Sequence, residues 1–323
     1  MTTKTASAKP LTSTLDGDAR SHLAQIVATA HRRLQNDDDI GGMEEFVTGL
    51  NVVRNAVTPA EWGAMINDHI APHPIRQKLH EDPFTRRAYE KPRGYPGDAP
   101  LLDLIYGDTP PREPLTPFGE RLHRWARTQP GCSSVKERRR VLASVIDQIA
   151  ADRPMPRIFS LACGHLREAQ VSDAVRRGAI EEFVAADQDA ESLAVIEREQ
   201  RKHRVTPTHL TVRRFLMSPT SLGSFDLVYA AGLYDYLDER VAAALTKAMF
   251  SALRAGGTLL VANFAPELRD IGYMEAIMDW NLIYRTEIEV ARFVSEIPQD
   301  AIAETTITRD SGQNVIYLSL RKA

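Results

Sequence analysis

Long apolar runs are missing from this chain. No segment approaches the roughly 20 consecutive apolar residues that a bilayer-spanning helix needs. The opening stretch MTTKTASAKPLTSTLD is rich in Ser and Thr and lacks the apolar centre of a secretion signal. No membrane partner is expected from that pattern, and residues 1–16 are expected to form a disordered tail. Cysteine is scarce as well: Cys132 and Cys163 are the 2 cysteines of 323 residues, which excludes a disulfide scaffold and fits reduced thiols in a cytoplasm. Nor is there an excess of positive charge. Lys plus Arg total 40 against 43 for Asp plus Glu, a formal net charge of -3, so the basic field that a phosphate backbone attracts is absent and nucleic acid is not expected as a partner.

What remains, with 43% apolar and 26% charged residues, is the composition of an ordinary globular protein. Its length suits one sizeable core plus a smaller appended region. From residue 17 to 150 the chain reads as helices separated by Pro-rich breaks, with no useful strand alternation. The pattern predicts helices over 18–35, 43–55, 59–71 (with Thr58 as N-cap before Pro59), 74–89, 116–128 and 133–151. Between them lies KPRGYPGDAPLLDLIYGDTPPREPLTP, dense in Gly and Pro, which marks either a lid or a domain seam. From 151 to 323 short apolar or β-branched runs alternate with helical ones, as in βαβ units. Strands are predicted at 157–162, 182–187, 209–214, 225–230 and 257–264, and helices at 167–178, 190–202 and 239–254. Runs at 302–308 and 314–321, joined through Asp310, Ser311 and Gly312, read as a terminal antiparallel hairpin. The expectation is therefore an α/β fold with an N-terminal all-helical lid domain.

RIFSLACGHLREA places an apolar strand before a tight turn at Gly164 and then a helix, the setting in which backbone N–H groups meet a ligand. In the next strand, EEFVAADQDAESL puts Asp187 at the carboxyl end, where a carboxylate accepts hydrogen bonds from ribose hydroxyls. The plain alternative is a generic αβ turn followed by an acid near a helix start. A dinucleotide site would need G-x-G-x-x-G against a pyrophosphate, and that pattern is not here. The run LACGHLREA, VAADQDAESL, SFDLVYAAGLYDYL and LRAGGTLLVANF resembles the class I S-adenosylmethionine (SAM)-dependent methyltransferases over residues 157–321. That resemblance implies a Rossmann-like sheet ending in an antiparallel hairpin, SAM as cofactor and S-adenosylhomocysteine as product. It also implies cofactor contacts at Ala162, Cys163, Gly164, Asp187, Gln188, Phe215, Leu216 and Ala230, no metal, and a strap bearing Tyr95 and Asp98.

Three departures from the family pattern bear on the site. Ser160, Ala162 and Leu166 stand where the family carries an acid and two of its three glycines, so the loop is expected to differ in geometry. The acid after strand three is replaced by Arg214 or Phe215, leaving adenine to apolar contact with Phe215. With Ser160 in place of the acid, Glu168 or Asp98 is left to accept from the SAM ammonium.

The ligand crevice of such a sheet opens at the carboxyl ends of its strands. Arg93, Tyr95 and Asp98, then Tyr234, Asp235 and Tyr236, then Trp280, Tyr284 and Arg285 are the candidates there, the last group expected on one side of a helix. Arg285 beside aromatic rings suits a carboxylate, an ordinary surface arginine being the alternative. Tyr234, Asp235, Tyr284 and Arg285 are thus the substrate-positioning candidates, and the run Lys136, Arg138, Arg139, Arg140 reads as a solvated helix face. RGYPGDAPLLDLIY, AAGLYDYL and WNLIYR also resemble a bacterial subgroup that includes enzymes forming hydroxy fatty acid methyl esters, which implies a small acceptor with a carboxylate. No His–acid pair is visible in the sequence. An acceptor needing no deprotonation is therefore favoured, a carboxylate giving a methyl ester or a thioether such as methionine giving a sulfonium. O- or N-methylation of another metabolite, or a SAM-binding sensor without transfer, is the alternative. Asn/Asp-Pro-Pro-aromatic, used by base-amino methylases after strand four, is replaced by AAGLYD. A homodimer stays open.

Overall fold

The structure is a computed structural model that describes residues 19–107, 109–111 and 113–323. The tail expected at 1–16 lies outside the described residues. Contacts divide the chain after Lys78, not at the seam expected near 150: the helices from Leu79 onward belong to the same compact unit as the sheet.

In the first unit, α1 (Ala19–Gln35) and α2 (Asp39–Ala56) each turn one apolar stripe inward. Leu23, Val27, Ala30 and Leu34 at helical spacing meet Met43, Phe46, Leu50 and Val53. A Cβ at Gly49 would come within 2.9 Å of Ile26, so the two helices approach too closely there for a side chain. Thr58 caps α3 (Pro59–Met65) in a reciprocal box with Glu61, as expected, but the helix widens into a π turn at Ile66–Ile70. Then α4 (Pro74–Leu79) begins. The helix expected over 74–89 stops early because Asp82 and Pro83 start a new one. Asp82 accepts from the Phe84 and Thr85 N–H groups at 3.2 and 3.0 Å.

That new helix, α5 (Pro83–Glu90), opens the second unit's own series: α6 (Ala99–Tyr106), α7 (Pro117–Ala126) and α8 (Pro130–Asp152). There follow β1 (Arg157–Leu161), α9 (Arg167–Val171), α10 (Asp173–Arg176), β2 (Glu182–Asp187), α11 (Ala190–Gln200), β3 (Val205–His209) and α12 (Val212–Met217). The remainder is β4 (Phe225–Ala230), α13 (Glu239–Ser251), β5 (Leu253–Phe264), α14 (Ile271–Ile277), α15 (Glu287–Ala291), β6 (Ile302–Arg309) and β7 (Val315–Lys322). The sheet order is β3-β2-β1-β4-β5-β7-β6, with β1 to β5 parallel and β7 antiparallel to both neighbours. This is the expected Rossmann-like sheet with its terminal hairpin.

β1 and β4 are buried at nearly every position, as parallel strands covered on both faces must be. Phe159 of β1 stacks on Phe225 at 5.2 Å and meets Phe215 at 5.3 Å between centroids. The third strand lies earlier than the predicted 209–214. Thr211 caps α12 instead, accepting from the Arg214 N–H at 3.2 Å, and Pro207 is tolerated in β3 because that strand is the sheet edge. The chain order reverses direction between β1 and β4, so a crevice opens at their carboxyl ends.

Candidate active site

Beyond β1 the backbone makes a turn that few sequences accept. Ala162, Gly164 and Leu166 all have positive φ, at 55°, 55° and 51°. Ala162 and Leu166, which stand at two of the glycine positions, are held in the left-handed region and carry strain on the order of 1–2 kcal/mol each. At Gly164 a Cβ would lie 3.2 Å from Ala99, so α6 closes directly over the loop. Asp187 ties the turn from the neighbouring strand, accepting from the Gly164 N–H at 2.8 Å and the Asp189 N–H at 2.9 Å. Burial pushes its carboxyl up and those N–H groups oppose the shift.

A cavity of about 480 Å³ opens at this point, and Tyr95, Ala162, Cys163, Gly164, Glu168, Asp187 and Gln188 stand in its wall together with Asp235. Glu168 is buried and accepts from the Tyr229 hydroxyl at 2.6 Å; burial raises its carboxyl. Tyr95 is pushed up to about 12 by burial and by the nearby carboxylates, Asp187 first. Asp235 accepts from the Phe264 N–H at 2.7 Å and is raised to about 6, again chiefly by burial. Cys163 is raised well above an ordinary thiol by burial, which suits a loop filler rather than a nucleophile.

The other candidates lie elsewhere. Asp98 caps α6, accepting from the Leu101 N–H at 3.0 Å, and is held by Arg87 through two bonds of 2.8 and 2.6 Å, so its carboxylate is spent. Phe215 is packed in the core against Phe159, with Leu216 beside that core, because both belong to α12 rather than to a strand end. Ala230 is fully buried and outside the wall, which takes Tyr229 and Ala231 on either side of it. Residues 279–286 form no helix, so Trp280, Tyr284 and Arg285 share no helical face. An extended segment is pinned there by the Ile283 N–H to Asp235 O at 2.7 Å and the Arg285 N–H to Phe264 O at 3.0 Å.

Arg285 is a staple and not a clamp. Its guanidinium donates to Tyr234 O at 2.9 Å, to Asn263 Oδ1 at 2.7 Å and to Leu237 O, beneath the Phe293 ring. Tyr234 is a core residue bonded to Thr246 at 2.9 Å, and Tyr284 is half-buried outside the cavity wall with its hydroxyl near Met274. Trp280 does reach the wall, where its Nε1–H donates to the Tyr236 hydroxyl at 2.9 Å, which in turn donates to Pro96 O at 3.1 Å.

Two features of the wall escaped the sequence reading. Arg138, expected on a solvated face, is 6% exposed and lines the cavity, and among the described residues its guanidinium has no hydrogen bond or ion pair. The second is a His–acid pair. His165 Nδ1 lies 2.8 Å from Asp103 Oδ2, and Asp103 is also gripped by Arg167 through two bonds of 2.7 Å. Burial works against ionising Asp103, but the hydrogen bonds from Arg167 and His165 win and hold its carboxyl at about 2. Their partners are some sixty residues apart in the chain, and only the buried Asp103 within an apolar helical run hinted at them.

No model of a known protein family matches this sequence, and no curated protein matches it. Among solved structures, a "possible exported protein" from Bordetella parapertussis is similar over 97% of this chain and 99% of its own, at 16% identity and a TM-score of 0.56. The sheet order and terminal hairpin are those that the class I methyltransferase resemblance led us to expect. A magnesium protoporphyrin IX methyltransferase from Synechocystis PCC 6803 with bound S-adenosylhomocysteine is similar over 68% of this chain and 92% of its own (13% identity, TM-score 0.47). Human N-acetylserotonin methyltransferase in complex with SAM is similar over 85% and 70% (13% identity, TM-score 0.46). Among the described residues no helix is long and apolar enough to cross a membrane, and no cluster of His, Cys, Asp or Glu is arranged to hold a metal.

Proposed function

We propose that this protein is a SAM-dependent methyltransferase whose acceptor is a small molecule bearing a carboxylate. The observation that carries the acceptor class is Arg138, a buried cation that, among the described residues, makes no hydrogen bond or ion pair and meets Glu168 and Asp235 only through space, in the wall of the cavity that also holds Asp187. Its guanidinium fork keeps its hydrogen-bond donors unspent, and a ligand carboxylate is the group that such a fork meets best. The residues present fit SAM: Asp187 would take the ribose hydroxyls and Glu168 the ammonium, with the strained loop beneath. SAM, when bound, supplies a methyl group on a cationic sulfur.

The chain's own part is to bind, orient and keep water out. α6, Trp280 and the 94–97 strap wall the cavity against solvent, and no protein nucleophile is required. A carboxylate oxygen or a thioether sulfur is nucleophilic as it stands, whereas a hydroxyl or amine must give up a proton. The second reading, O- or N-methylation, is favoured by one observation, the His165–Asp103 pair.

Incubation with methyl-labelled SAM and a small-molecule extract tests the reading. Labelled methanol released by mild base identifies an ester, dimethyl sulfide released by hot strong base a sulfonium, and base-stable label an ether or amine. Absence of transfer despite SAM binding would replace the enzyme by a SAM sensor. Arg138→Gln separates the two sources of carboxylate: loss of affinity for SAM but not for 5′-methylthioadenosine assigns it to the cofactor, and loss of acceptor binding alone assigns it to the acceptor.

A further inference from the structure

We propose that His165 is the general base of this site and that the methylated atom is a protic heteroatom, a hydroxyl oxygen in the first place, on the carboxylate-bearing acceptor. This rests on the methyltransferase reading above and chooses among its acceptors. Asp103, held ionised by Arg167, is an acceptor only, so the hydrogen in its contact with His165 sits on Nδ1. In the neutral ring that leaves the lone pair on Nε2. The His165 Nε2 atom is buried and has no hydrogen-bond partner among the described residues, and His165 stands in the cavity wall. A buried acceptor left unpaired costs on the order of 1–3 kcal/mol, which a ligand O–H donor would recover.

The arrangement follows the pattern of a base oriented by a third group: Arg167 fixes Asp103, Asp103 fixes the tautomer and the ring plane, and the unpartnered Nε2 belongs to a residue of the cavity wall. Arg167 is itself anchored by Glu199, so the carboxylate has no freedom to swing away. In the transfer, Nε2 takes the hydroxyl proton, the oxygen's electron pair forms the O–CH3 bond, and the S–CH3 bond breaks with its pair left on sulfur. The positive charge passes from the sulfonium to the imidazolium beside Asp103. A carboxylate or thioether acceptor would leave this nitrogen with no proton to take.

Three measurements test the assignment. Nitrogen NMR of the wild-type protein at pH 7 should show His165 as the Nδ1–H tautomer; an Nε2–H tautomer overturns the proposal, and this reading requires no acceptor. His165→Asn and His165→Gln should keep S-adenosylhomocysteine affinity within about 3-fold while lowering kcat about 100-fold or more; a large loss of cofactor affinity makes His165 a SAM ligand and overturns it. Label released as methanol by mild base or as dimethyl sulfide also overturns it while sparing the methyltransferase reading, whereas base-stable label that disappears in His165→Asn supports it. If no extract yields a labelled product, the enzyme reading fails on that ground and the tautomer and affinity measurements still decide the role of His165.

Discussion

Arg285 and Arg138 are both buried arginines of one compact unit, and exchanging each for methionine should give opposite signatures. In Arg285→Met, the Tyr234 and Leu237 carbonyls and the Asn263 side chain lose their charged donor. A hydrogen bond from a charged group contributes about 1.5–3 kcal/mol, so three suggest a large loss. Part of it is returned, because burial disfavours the charge itself and lowers the Arg285 pKa, and methionine fills much of the volume. The net cost is about 2–4 kcal/mol, and at about 2–4 °C per kcal/mol for a domain of this size the melting point should fall by roughly 5–15 °C. Arg138→Met breaks no hydrogen bond and should melt within about 3 °C of wild type while losing carboxylate binding. Thermal melts by circular dichroism, with calorimetric titration of SAM, check both. If Arg285→Met melts like wild type yet loses ligand, its guanidinium is free for a ligand and the staple is wrong.

Four further outcomes follow from the same geometry. Asp187→Ala, which loses both the ribose acceptor and the tie to Gly164, should weaken S-adenosylhomocysteine binding about 30- to 1,000-fold, with Asp187→Asn between; unchanged titration would remove the ribose role. Ala162→Gly relieves a left-handed alanine and should stabilise the protein by about 1 kcal/mol with cofactor affinity kept, so a lower denaturation midpoint would count against strain in the loop. Gly97→Ala places a Cβ 2.6 Å from Trp280 at a φ of +73° and should destabilise by at least about 1 kcal/mol and quench or shift Trp280 fluorescence; a silent variant would show that the strap yields freely. For Asp103, the native carboxyl at about 2 binds protons less tightly than the unfolded chain, whose value is near 3.8. Its contribution, about 2 kcal/mol, is therefore full above pH 4 and lost as the pH falls towards 2, and Asp103→Asn should flatten that part of an acid-denaturation curve.

The strands at 182–187 and 225–230 were legible to the residue because covered parallel strands write continuous apolar runs. β3 was not, since an edge strand needs no such run, and Val212, Phe215 and Leu216 at helical spacing belong to α12 while looking equally like strand alternation. That the Gly164 loop and Asp187 meet in one cavity wall was legible because each lies at or just past the carboxyl end of one of two neighbouring parallel strands. Arg285 misled for a physical reason: an arginine amid aromatic residues looks the same whether its fork meets a ligand or three backbone and side-chain oxygens. Arg138 and the Asp103–His165 pair depend on helices placed by tertiary packing, and no local pattern marks them. The helical half was read as one domain because helix periodicity carries no information on which partner a helix will choose.

The strap from Lys91 to Asp98 is sewn to the rim on both sides, by Arg93 to Asp189, Ser192 and Glu191 and by Pro96 through Tyr236 to Trp280. Asp189 lies two residues from Asp187, so a nucleoside held by that carboxylate sits under a cover fastened to its own support. On the proposed binding mode, departure of the cofactor would require the Arg93 ion pairs to part, and its residence time would become a property of Arg93. Raised salt, which screens such ion pairs, should shorten that residence.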